Sequence, residues 1–145
     1  MAIASAICNS FKQEILVGTH NCTASSGNSF KVAMYTSSAS MCASTTAYST
    51  SNEISNTSGS AYTAGGKALT SVTPVLDGST AVCDFADISF TSASFTANGC
   101  LIYNDTQSDK AVCVVAFGGD KTVSSGTFTI QFPAAAASTA IVRIA

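Results

Sequence analysis

The order of apolar and polar residues divides the chain into three stretches. Near the start, Phe11, Ile15 and Leu16 fall on one face at helical spacing. Asn9 or Ser10 can cap this short helix, Gln13 stands three residues after Ser10 as in a capping box, and Gly18 supplies a stop. A helix of about two turns is not stable alone, so it must dock on its own domain or on a neighbouring subunit. After the polar turn 23–29 the period changes to two, with Phe30, Val32 and Met34 alternating with Lys31, Ala33 and Tyr35. Residues 36–66 then carry Ser, Thr, Asn and Gly with little strand signal. So long a stretch without regular structure is uncommon in a compact domain, and it predicts a functional or subunit-contacting loop.

From Lys67 the strand pattern resumes, at 67–76, 79–86, 87–96, 98–104, 110–117, 126–132 and 138–144. Turn signals separate these runs: Asp77-Gly78, Asn98-Gly99, Asn104-Asp105, Gly118-Gly119-Asp120 and Pro133. Short strands at about ten-residue spacing predict a mainly β chain, an antiparallel β-sandwich or jelly-roll-like domain over 30–145. Residues 1–29 form an N-terminal helical arm in this reading, and 36–66 is the long polar loop.

One pairing follows from the loop 105–109. A hairpin centred there sets Leu101 against Val112, Tyr103 against Lys110 and Cys100 against Cys113. The two cysteines are then either a disulfide pair or two small buried apolar residues, and a one-residue slip would put them on opposite faces. Cys8 and Cys22 bracket the helix, and a bridge there would pin an element too short to hold itself. Cys42 lies in the long loop, where it can pair with a neighbouring subunit, and Cys83 sits in a core-like strand pattern.

Composition sharpens this picture by what it omits. Only 10% of the 145 residues are charged and the net charge is −2, whereas 23 Ser and 18 Thr make up more than a quarter of the chain. Six basic residues spread along the chain make no nucleic-acid footprint. The longest apolar run, residues 111–118, is far too short to span a membrane. With 46% apolar residues the chain is expected to fold. The opening residues lack a basic stretch and a long apolar one, so synthesis in a cytoplasm without ordinary export is expected. Obligate interfaces are depleted in charge, and a small-residue, Ser/Thr-rich β protein suits permanent assembly.

Catalytic chemistry finds little support. His20 is the single histidine and follows the helix stop. No G-x-S-x-G elbow or Walker loop is present, and without a C-x-x-C pair a zinc site is not expected. Asp84 and Asp87 stand at a spacing that points them to opposite faces of a strand, and Asp105, Asp109 and Asp120 fall in predicted turns. Neither an enzyme nor a cofactor or metal site is predicted. Asn-x-Ser/Thr matches at Asn21, Asn56 and Asn104 are what so Ser/Thr-rich a chain contains by chance.

Several ordered motifs are more specific: AYTAGG (61–66), DFAD (84–87), LIYND (101–105), FGGDK (117–121) and TIQFP (129–133). With the segment from Phe30 they resemble a recurrent structural module of tailed bacteriophages and prophages, over nearly the whole chain. The resemblance implies a virion structural protein with no catalytic motif, made in the host cytoplasm and ending in the virion. A capsid decoration (cement) protein is the first expectation. Its partners would be the major capsid protein and other copies of itself, most simply a trimer, with neither nucleic acid nor membrane. The helix residues Phe11, Ile15 and Leu16 and the loop tyrosines Tyr48 and Tyr62 are then candidate interface residues. The alternatives are a tail, neck or baseplate component, or a receptor- or glycan-binding module using Tyr35, Tyr48, Tyr62 and Tyr103.

Overall fold

A computed structural model describes residues 2–55 and 60–145. Asn56 and the rest of 56–59, within the predicted loop, lie outside the described residues. The fold is mainly β, with one short α-helix, as the periodicity predicts. The elements are β1 (Ala6–Ile7), α1 (Asn9–Leu16), β2 (Phe30–Tyr35), β3 (Lys67–Ala68), β4 (Ser71–Asp77), β5 (Thr80–Phe85), β6 (Ile88–Asn104), β7 (Lys110–Ile130) and β8 (Val142–Ile144). They form a five-stranded sheet in the order β1-β7-β6-β2-β3 and a three-stranded sheet in the order β4-β5-β8. All paired strands are antiparallel, giving a sandwich-like domain. Phe30 of β2 meets Phe85 of β5 at 5.6 Å between ring centroids, which joins the two sheets through one apolar core.

Four of the predicted strands merge into two. Runs 87–96 and 98–104 are one strand, β6, and runs 110–117 and 126–132 belong to one strand, β7. The turn signals Asn98-Gly99 and Gly118-Gly119-Asp120 do not reverse the chain. They lie opposite each other in the paired ribbon, where the register jumps from Ala97↔Lys121 to Gly99↔Ala116. Both strands are interrupted at one level, so the ribbon is locally irregular there and continues. Asn98 donates to Asp120 across this point at 2.8 Å.

The hairpin 98–117 turns at the predicted loop, through a 3₁₀ turn at Asp105–Gln107, but its register differs. Cys100 stands opposite Val115 and Cys113 opposite Ile102, with an irregularity between Ile102 and Tyr103. The expected pairing of Cys100 with Cys113 is therefore corrected, because the bulge moves the partners by up to two positions. All six cysteines are free thiols, so the Cys8–Cys22 bridge is not formed either.

Gly18 ends α1 as predicted. It adopts φ 75°, its N–H donates to Ile15 O, and the Thr19 N–H donates to Glu14 O, the paired bonds of a Schellman stop. The predicted capping box is absent. Cys8 occupies the N-cap, and its N–H is committed to Val112 O, so the helix starts directly from the β1–β7 pairing. Ser10 Oγ is left without a partner. The N-terminal segment is thus built into the domain: β1 pairs with β7, and Phe11 is only 3% exposed.

Candidate functional site

Two buried polar networks fix the segments that the sequence marks as arm and loop. The first holds α1. Glu14 accepts from Lys110 Nζ at 2.8 Å through one carboxylate oxygen and contacts His20 Nε2 at 2.7 Å through the other. Asn104 Nδ2 donates to His20 Nδ1 and to Asn28 Oδ1, both at 2.9 Å, while Asn104 Oδ1 accepts the N–H groups of Thr106 and Gln107. With Nδ1 accepting, the His20 proton sits on Nε2 and is donated to Glu14. Glu14 and Asn104 are held by these partners, while His20 also borders a cleft between α1 and the small sheet. Asn104 is fully buried, so it is no glycan acceptor.

Burial raises the Glu14 carboxyl, but the hydrogen bonds from Lys110 and His20 and the Lys110 charge lower it more, leaving it below its ordinary value of 4.5. A carboxylate depressed in the folded state stabilises fully above its unfolded value and loses that contribution as pH falls through the folded value. Urea midpoints are therefore expected to decline below pH 4.5, and Glu14→Gln should flatten that decline while lowering the midpoint at neutral pH. An unchanged acid profile in Glu14→Gln would contradict this assignment.

The second network organises the loop. Glu53 accepts from Tyr48 Oη at 2.7 Å, from the Gly65 N–H at 2.8 Å and from Tyr62 Oη. Tyr62 Oη in turn accepts the Met34 N–H of β2, and Tyr103 Oη donates to Gly65 O. Tyr48 stacks on Tyr103 at 4.7 Å, and Tyr35 Oη donates to Ser49 O at 2.7 Å. Burial, helped by the neighbouring Glu53 carboxylate, pushes the Tyr62 hydroxyl far above its usual value. The described parts of the loop are thus tied to β2 and β6 through Tyr48, Glu53, Tyr62 and Gly65. Tyr62 is 1% exposed, and all four tyrosines spend their hydroxyls inside the chain. Of the five candidate interface residues, Phe11 and Tyr62 are core residues, Ile15 and Tyr48 are partly buried, and Leu16 alone points outward.

Apart from Leu16, the outward apolar surface is built from residues that the sequence did not single out. On the small sheet Leu76 pairs with Ala81 and Ala81 with Ile144, so these three form one row on one face. Leu76 is 73% exposed and Ile144 53%. Ile144 and Leu16, itself 85% exposed, line one groove between β8 and α1. An apolar strip therefore runs from β4 across the sheet to the end of the helix. β4 is an edge strand, and its Val72 and Val75 are open as well. Among the described residues no group of three or more His, Cys, Asp or Glu side chains is placed to hold a metal ion, and no helix is long and apolar enough to cross a membrane.

No family model matches the chain, and neither a curated protein nor a solved structure matches it.

Proposed function

We propose that the protein is a virion structural protein of a tailed bacteriophage that decorates the capsid shell and stabilises it as a cement protein. The observation that carries this reading is the open strip Leu16–Ile144–Ala81–Leu76 on a domain with so few charges. Contiguous exposed apolar surface of this kind serves association. The module-like motifs from Phe30 to the C-terminus support the virion setting. The protein works by contact area, with no chemical step. Its partners are the major capsid protein and further copies of itself, arranged most simply as trimers on local threefold axes. The saturated networks around Glu14 and Glu53 suit this role, because a rigid surface loses little entropy on docking.

Copy number tests the reading. Purified particles analysed by quantitative gel should carry the protein in numbers comparable to the major capsid protein. About a dozen copies or fewer, the count of a ring at a single vertex, would overturn the shell assignment in favour of tail, neck or baseplate.

A further inference from the structure

Cys22 and Cys83 lie 61 positions apart in the chain but meet in the fold. Cys22 belongs to the segment after α1, and Cys83 to β5, the central strand of the small sheet. Their thiols stand near enough for each to perturb the other's acidity. Both line one cleft of about 420 Å³ between α1 and the small sheet, together with Phe11, Ile15 and Val142. The same segment is tied to the sheet by the Ala24 N–H, which donates to Thr73 Oγ1 at 3.1 Å. Cys22 is only partly buried, so a reagent entering the cleft can reach it. The other four thiols lack this combination: Cys8, Cys100 and Cys113 are buried in the core, and Cys42 is exposed on the loop.

We propose that Cys22 and Cys83 are a disulfide-forming site, closed by low-molecular-weight disulfides once the protein meets oxidising surroundings. The Cys22 thiolate attacks one sulfur of the reagent. A bond forms between Cys22 and that sulfur, the reagent's S–S bond breaks, and the departing thiolate takes up the proton lost by Cys22. Cys83 then attacks the Cys22 sulfur, expels the second thiolate and passes its proton to it through solvent. Two cysteine thiols lose two electrons, and the reagent is reduced to two thiols. Cys22 is the more accessible of the two at the cleft, and the neighbouring Cys83 thiol lowers it from its ordinary value, so it is the attacking group. The neighbouring Cys22, and then burial, hold Cys83 protonated until the mixed disulfide has formed. The bond joins the helical segment to the small sheet independently of any assembly.

The test uses the full chain incubated with oxidised glutathione, then unfolded and alkylated without reductant. The expected product has lost two hydrogen atoms and keeps four alkylated cysteines. Digestion with trypsin and an aspartate-specific protease separates Cys83 from Cys100, and should yield residues 13–31 joined to 77–83. The melting temperature should rise by roughly 5–10 °C, as for a bridge closing a long loop, and Cys83→Ser should retain glutathione on Cys22. Six alkylated cysteines, a bridge between any other pair, or glutathione persisting on Cys22 of the unsubstituted chain would each overturn the proposal.

Discussion

Gly66→Ala is expected to cost roughly 3–5 kcal/mol and to lower the melting temperature by about 10 °C or more. Gly66 has φ 79°, where an L side chain is strained, and a Cβ there would overlap the Val32 carbonyl, with the carbonyl carbon at 2.6 Å. Val32 is a fully buried residue of β2 that pairs with Lys67, so the backbone cannot retreat without disturbing the central sheet. Gly78 is the control. Its φ is 62° but nothing lies within 4 Å of the added carbon, so Gly78→Ala should cost only about 1 kcal/mol. Thermal melts of both variants separate close approach from backbone strain, and equal losses would refute the packing account of Gly66.

The second large effect is expected at Glu53. Its carboxylate satisfies three donors, the hydroxyls of Tyr48 and Tyr62 and the N–H of Gly65. Tyr62 is buried and its oxygen already accepts from Met34, so its proton has nowhere else to go. Glu53→Ala leaves these donors unpaired and should cost roughly 3–4 kcal/mol, at the upper end for a lost charged acceptor. Glu53→Gln keeps one acceptor oxygen and should lose about half of that. Limited proteolysis should show cleavage within 36–66 in Glu53→Ala at denaturant concentrations where the rest of the domain stays intact. A loss under about 1 kcal/mol, with the loop still protected, would refute Glu53 as its organiser.

The parts of this fold that are legible in the sequence are those set by local periodicity. The change from helical spacing at Phe11 and Ile15 to alternation at Phe30–Met34, the Gly18 stop and the 105–109 reversal all depend on neighbours a few residues away. What was not legible depends on distant segments meeting. Asn98-Gly99 and Gly118–Asp120 each look like turns, and only their placement opposite each other turns both into an interruption within one ribbon. The described parts of the 36–66 loop are held largely by one glutamate and three tyrosines that the fold brings together, one of them from β6. Periodicity put Phe11 and Leu16 on one face, but the groove beside β8 buries the first and exposes the second. Leu76 and Ile144 carried no signal at all, since their row exists only after β4, β5 and β8 are assembled.

In the proposed role the contact surface is the exposed apolar strip that joins the small sheet to the end of α1. A cryo-EM reconstruction of the particle tests that most directly. Density for this chain is expected on the outside of the shell at repeated local symmetry axes, with Leu16, Leu76 and Ile144 against a neighbouring subunit. Density confined to a single vertex or to the tail, or a shell-bound chain with that strip facing solvent, would contradict it.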